Sequence, residues 1–141
     1  MDSMEALPPQ AARLECPCCR YPTLTEPAAY EVCSLCYWED DGQDTANAAE
    51  VWSGPNHGYS LSQARRNFET YLSMYPPEED PRFVGGDNLQ TKTIKRLLIA
   101  TFDKMRNETP PEAIAALWHE VERQEQDLLE EMARRVEAGD A

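Results

Sequence analysis

The sequence has 141 residues and a formal net charge of −13 at pH 7. Its hydrophobic fraction of 41% and charged fraction of 28% are those of a globular protein, which excludes general disorder. The negative charge disfavours nucleic acids and anionic membranes as partners, since both bind mainly Lys and Arg. The charge favours a basic protein partner. An equal alternative is that the acidity only keeps the chain soluble.

The N-terminal residues contain neither the basic nor the apolar part of a secretory signal. The apolar run at residues 97–100 is far too short to span a bilayer. We therefore expect a cytoplasmic protein with no membrane contact. Cysteines in a reducing compartment bind metals more often than they form disulfides.

The pattern of apolar, proline and glycine residues predicts an α+β fold. A small zinc-ribbon or knuckle module with a short β-hairpin precedes a three-helix C-terminal part, which includes an antiparallel helical hairpin. The predicted segments are a flexible N-terminal tail at 1–13, a cysteine module with an acidic loop at 14–60, a helix packing on it at 61–77, a linker at 78–88 and the helical hairpin at 89–138.

Short strands are predicted at residues 21–25 and 29–32, where β-branched and aromatic residues concentrate and prolines limit their length. The first helix is predicted to begin at a capping box formed by Ser60 and Gln63, and to end at Pro76.

The second predicted helix, residues 89–106, is basic, and the third is acidic and reaches about residue 138. A capping box at Thr109 and Glu112 marks the start of the third helix. Their short connection favours an antiparallel hairpin with opposite charges facing each other. An anion site on the basic helix is the alternative interpretation.

Four of the five cysteines form two C-x₂-C pairs that are separated by thirteen residues. These are Cys16 with Cys19 and Cys33 with Cys36. A tight turn presents two sulfurs to one ion, and the spacer allows the second pair to return to it, so the pattern predicts a zinc site. An iron or iron–sulfur site uses similar ligands and is the alternative.

Four cysteine ligands leave no open coordination position for water, so we expect the zinc to be structural and the protein not to be an enzyme. The sequence contains no recognisable catalytic motif. The fifth cysteine, Cys18, is interpreted either as a reactive thiol or as a small filler beside the turn. His57 and His119 are predicted to be surface residues.

An aromatic and acidic run follows the second cysteine pair. This run would suit a basic protein as a partner-binding surface. The surface would consist of Trp38, Glu39, Asp40 and Asp41, with Trp52 nearby. In the alternative interpretation Trp38 packs under the zinc turns and the acids are solvated. A calcium site at Asp40, Asp41 and Asp44 is disfavoured, because the EF-hand pattern is absent.

Three motifs together resemble the cysteine-rich CPCC family of bacterial proteins. They are Cys16-Pro-Cys-Cys19, the second pair with the following run from Cys33 to Asp41, and the segment from Ser60 to Phe68. The resemblance covers residues 14–75 and implies a zinc-ribbon-like fold without implying an activity. A glycine usually follows the first pair in such turns, whereas this sequence has Arg20.

The leading hypothesis is a non-enzymatic, zinc-stabilised protein that binds a basic partner. In its specific form, the chain is an immunity or antitoxin-type inhibitor that occludes a cationic bacterial toxin. A transcription- or RNA-associated zinc ribbon is one alternative, although the negative charge opposes it. A thiol redox or zinc-sensing protein that uses Cys18 is the other.

Overall fold

The computed structural model describes residues 13–52, 54–107 and 110–139, so most of the predicted tail lies outside the described residues. The chain divides into two compact units, Met1–Met74 and Tyr75–Ala141. The fold is α+β, as predicted, with a short antiparallel hairpin followed by three helices. The strands are β1 (Leu14–Glu15) and β2 (Pro22–Leu24), and the helices are α1 (Leu61–Tyr71), α2 (Leu89–Asn107) and α3 (Pro111–Glu137).

The β-hairpin of unit 1 flanks the first cysteine pair. Leu14 pairs with Leu24 and Glu15 pairs with Pro22, so β1 provides the partner of β2. The strand predicted at residues 29–32 does not form beyond a single bridge. The reason is local, because the φ angles of +50° at Ala28 and +61° at Tyr30 interrupt an extended backbone.

The predicted capping box begins α1. The Ser60 side chain accepts a hydrogen bond from the backbone N–H of Gln63, and the Gln63 side chain accepts one from the Ser60 N–H. The helix ends at Tyr71, earlier than predicted, because Leu72 adopts a left-handed conformation with φ of +60°. The buried Met74 and Tyr75 therefore follow the helix as irregular chain.

In unit 2, α2 and α3 pack as an antiparallel pair, as predicted. Phe102 and Trp118 meet edge to face with ring centroids 6.2 Å apart, and other apolar residues of the two helices are buried around them. Helix α3 begins at Pro111 with Pro110 at its N-cap position, and Thr109 of the predicted capping box lies outside the described residues. None of the helices among the described residues combines the length and apolarity needed to cross a membrane.

The segment predicted as a linker is partly buried and contributes polar contacts to unit 2. Asp87 forms an ion pair with Lys95 at 2.6 Å, with both side chains almost fully buried. Arg135 donates to the Gly86 carbonyl at 3.0 Å and lies 4.1 Å from the centre of the Phe83 ring. Lys95 belongs to the basic helix α2, and its ammonium group pairs with the segment that was predicted as a linker.

Glu131 makes the stability of unit 2 dependent on pH. Hydrogen bonds from Arg134 lower the pKa of Glu131 to about 2, with a further contribution from Asn88. A lowered pKa stabilises the fold above the unfolded value near 4.5, and this stabilisation is lost as the pH falls towards 2. The free energy of unfolding, measured by urea denaturation, should decline as the pH falls between these values. Glu131→Gln should remove this decline. An unchanged decline in the variant would assign it to other groups.

Candidate metal centre

The first cysteine pair lies in a tight turn closed by backbone hydrogen bonds. The N–H of Arg20 donates to the Cys16 carbonyl at 2.8 Å, and the N–H of Cys16 donates to the Tyr21 carbonyl at 2.9 Å. The N–H of Cys18 points at the Cys16 sulfur, 3.4 Å away. Sulfur-directed amides of this kind favour the thiolate form that metal binding requires.

The second pair repeats this arrangement. The N–H of Tyr37 donates to the Cys33 carbonyl, and that of Cys33 donates to the Trp38 carbonyl, both at 2.9 Å. The N–H groups of Leu35 and Cys36 approach the Cys33 sulfur at 3.3 and 3.4 Å. The two turns therefore present their sulfurs through the same local hydrogen-bond pattern.

Both turns require a left-handed residue after the second cysteine. Arg20 has φ of +70° and Tyr37 has φ of +75°. Glycine takes up this conformation without steric strain, whereas other residues are strained in it by about 1–2 kcal/mol. Arg20 thus keeps the turn geometry that glycine usually provides.

Arg20→Gly should therefore leave unit 1 about 1 kcal/mol more stable than Arg20→Ala. Both variants lose the guanidinium group and its contacts, so their difference isolates the backbone strain. Chemical denaturation of the metal-loaded proteins measures it. Equal stabilities of the glycine and alanine variants would contradict the strained turn.

The two turns bring four sulfur atoms into one buried cluster. The Cys16 and Cys36 sulfurs are 3.6 Å apart, the Cys19 and Cys33 sulfurs are 3.7 Å apart, and all four lie within 4.8 Å of one another. A tetrahedral ion with metal–sulfur bonds of 2.3 Å requires sulfur separations of about 3.8 Å. A disulfide bond is only about 2.05 Å long. The four cysteines are thus positioned to bind a metal ion.

Electrostatics explain why the cluster needs a cation. Burial raises the pKa of Cys19 and Cys36 well above the ordinary value. Burial also opposes ionisation of Cys33, but hydrogen bonds from the other ligand cysteines and Thr23 outweigh it and lower the Cys33 pKa. Four thiolates cannot share this apolar site without a positive ion to compensate their charge.

Several residues that the sequence did not single out support the cluster. The Thr23 hydroxyl lies 3.0 Å from the Cys33 sulfur. Arg65 donates from Nε to the Pro17 carbonyl at 2.9 Å and so ties α1 to the first turn. Such outer contacts hold ligands in position for the metal.

Helix α1 also supports the second turn. Asn67 donates to the Met74 carbonyl, and the N–H of Met74 donates to the Cys36 carbonyl, both at 2.8 Å. Phe68 packs edge to face on Tyr21 with centroids 6.4 Å apart. The segment from Ser60 to Phe68, which carried the family resemblance, therefore provides supports for both turns, and that motif was the available signal for Arg65 and Asn67.

The aromatic and acidic run lies largely inside unit 1. Trp38 is 0% exposed and Asp40 is 6% exposed, so neither side chain forms part of an exposed contact surface. The buried Trp38 fits the interpretation in which it packs under the cysteine turns, whereas the buried Asp40 fits neither interpretation. The Asp40 carboxylate accepts the N–H of Ala28 at 2.8 Å, and the Asp41 carboxylate accepts the N–H of Gln43 at 3.0 Å. These acids order the loops around the cluster.

Glu39 and Asp41 remain half-buried, and the main chain of Glu39 is held by Asn56. The Asn56 side chain accepts the Glu39 N–H at 2.9 Å and donates to its carbonyl at 2.8 Å. Trp52 is also half-buried, and its indole N–H donates to Glu50 at 3.0 Å. The predicted surface is therefore reduced to the exposed parts of Glu39, Asp41 and Trp52.

Cys18 is buried beside the cluster at 4% exposure, which restricts the access that a reactive thiol needs. The histidines predicted at the surface, His57 and His119, are both exposed. Asp44 of the disfavoured calcium site caps a short turn by accepting the Ala46 N–H at 3.0 Å. The four ligand-like cysteines thus remain the candidate site.

This fold and cluster define a small metal-binding module of the four-cysteine type, followed in the chain by a helical unit. Residues 14–80 match the family model described as Cysteine-rich CPCC. This match confirms the resemblance predicted from the motifs. No curated protein and no solved structure matches the chain.

Proposed function

We propose that the four-cysteine cluster binds one structural zinc ion and that the chain is a non-enzymatic protein that binds a basic protein partner. The observation that carries the proposal is the closed, buried cluster of four sulfurs. A catalytic zinc keeps one position for water or substrate, and four thiolate ligands occupy every tetrahedral position. The ion therefore acts on stability, and function depends on the surface.

The cluster geometry supports zinc over larger assemblies. Sulfur separations of 3.6 and 3.7 Å fit a single tetrahedral ion. An iron–sulfur cluster holds its cysteines around several iron atoms and separates the sulfurs further. A single iron ion has similar dimensions and is the competing occupant.

Metal analysis of protein purified without oxygen tests the ion. We expect one equivalent of zinc, and tetrahedral thiolate absorption bands after replacement by cobalt. Cys18→Ser should bind the same amount, whereas Cys36→Ser should lose the ion or bind it weakly. Iron in the native protein, or loss of metal in Cys18→Ser, would contradict the assignment.

The charge supports a basic partner. The net charge of −13 attracts cationic proteins over long distances and repels nucleic acids. Because Trp38 and Asp40 are buried, exposed acids elsewhere, such as Glu112 and Glu122 on α3, carry part of this field. An immunity or antitoxin-type inhibitor that covers the active site of a basic toxin is the specific form that we propose.

This form requires a basic toxin encoded beside the gene, and titration of the zinc-loaded chain against that purified toxin tests it. The affinity should be high at low salt. The association rate should fall as the salt concentration rises, since opposite charges accelerate encounter. The Glu112→Gln/Glu122→Gln variant should associate more slowly. The matched Lys92→Gln/Arg96→Gln variant should associate as fast or faster. Absence of binding, or a toxin that stays active in the complex, would refute the inhibitor.

A further inference from the structure

We infer that the chain forms a two-fold symmetric dimer through one face of the α2–α3 pair in unit 2. Two depressions on this face suggest the contact. One, of about 470 Å³, lies between the first half of α2 and the end of α3, and is lined by Leu97 and Glu130 among others. The second, of about 280 Å³, lies at Lys104 and residues 113–117. This inference is independent of the proposed function.

Residue spacing places both depressions on the same face. Gln90, Leu97 and Lys104 line them from α2 at intervals of seven residues. On α3, Ala116 and Glu130 line the second and first depressions fourteen residues apart. Multiples of seven return to nearly the same side of a helix, so the two depressions lie on one face of the pair, which we call the groove face.

Leu97 occupies the middle of this groove face on α2. It is 54% exposed, although its helix neighbours Ile94 and Leu98 are buried at 8% and 0% exposure. Lys104 and Gln90 each lie about 10 Å from it along the helix axis. Leu97 is therefore the apolar contact through which a two-fold axis can pass, so that each copy covers the leucine of the other.

Charge along the groove face makes it complementary to itself. At the end near Gln90, Asp127 pairs with Arg123 and Glu131 pairs with Arg134, so Glu130 is the acid available to a partner, and the other end carries Lys104. Within the described residues, neither Lys104 nor Glu130 forms an ion pair. A two-fold axis near Leu97 exchanges the two ends, so Lys104 of one copy lies opposite the end of the groove face that carries Glu130 in the other. A second copy is thus the occupant that the charges fit.

The area buried in the contact determines how tightly two copies are expected to bind. Helix α2 has 19 residues and is about 28 Å long, and a pair of helices is about 20 Å wide. The contact therefore buries about 1,100 Å² in total, which is at the lower limit for specific complexes. We expect a dimer that dissociates in the micromolar range, between about 10 and 100 µM.

Sedimentation equilibrium of the full metal-loaded chain over a concentration series tests the dimer. Leu97→Arg should weaken it about tenfold or more. Leu129→Arg is the matched control, since Leu129 is 58% exposed on α3 but lines neither depression. Lys104→Glu should also weaken the dimer, and Lys104→Glu/Glu130→Lys should restore it.

Circular dichroism checks that each variant keeps its helices, so that a monomeric mass reports the interface. A chain that stays monomeric up to about 1 mM overturns the inference, because even a weak specific contact is populated there. A dimer that withstands Leu97→Arg, or that is weakened equally by Leu129→Arg, overturns the assignment to the groove face. A monomer that instead takes up a basic amphipathic peptide in the groove also overturns it.

Discussion

Removing the metal should unfold unit 1 and leave the helices of unit 2 formed. Structural zinc contributes about 10–16 kcal/mol in small zinc-binding peptides, whereas a whole domain is stable by only about 5–15 kcal/mol. Without the ion, unit 1 loses its strongest contact. Its four buried cysteines then remain as side chains with shifted pKa values. Unit 2 has its own core around Phe102, Trp118 and Leu128 and contains none of the ligands.

NMR of the chelated protein, or of Cys33→Ser, measures this outcome. Amide resonances of residues 14–74 should collapse towards unfolded positions, while those of α2 and α3 should keep their dispersion. Cys33 is the most informative ligand to replace, because Thr23, Leu35 and Cys36 all direct hydrogen bonds at its sulfur. Cys18→Ser is the control and should preserve both units.

Dispersed resonances for residues 14–74 in the fully metal-free chain would show that burial alone folds unit 1. The ion would then have a role other than stability. Refolding on addition of one equivalent of zinc completes the experiment, because it excludes damage by the chelator.

Breaking the ion pair between Lys95 and Asp87 should have the second large effect. Both side chains are removed from water, with exposures of 0% and 2%. Replacing one partner leaves an uncompensated buried charge, which costs about 3–5 kcal/mol. Lys95→Met and Asp87→Leu should therefore each destabilise unit 2 by this amount in urea denaturation.

The double variant Lys95→Met/Asp87→Leu should recover most of the loss, because two apolar side chains leave no charge to solvate. Arg106→Met is the matched control. The Arg106 and Asp103 side chains are 44% and 51% exposed at 3.6 Å, so their separation should cost less than about 1 kcal/mol. Single variants no more destabilised than Arg106→Met would show that water reaches the Lys95 pair.

The features predicted well from sequence depend on short-range rules. The spacing within each C-x₂-C pair predicted the two cysteine turns, and the capping box at Ser60 predicted the start of α1, since both involve residues a few positions apart. The periodic apolar residues of α2 and α3 located that pair for the same reason. None of these predictions required knowledge of which residues meet across the fold.

The features that the sequence left open or did not predict depend on long-range contacts. For Trp38 the sequence left two interpretations open, a contact surface and packing under the cysteine turns. Only the folded loops show that the side chains of Trp38 and Asp40 are both enclosed. Lys95 belongs to a basic stretch, and its burial depends on Asp87, which lies in a segment that looks like a linker. Helix α1 stops early because Leu72 turns the chain so that Met74 can reach the second cysteine turn.

The hydrogen bond from Arg65 to the Pro17 carbonyl joins residues 48 positions apart. The cysteine ligands span only residues 16 to 36, so the loops that coordination closes are shorter than the loop that Arg65 closes. Short loops close with less entropy loss. During synthesis all four ligands also leave the ribosome before α1 does. We therefore expect metal capture to come first in the order of assembly, and α1 to dock afterwards onto turns that the ion has already shaped.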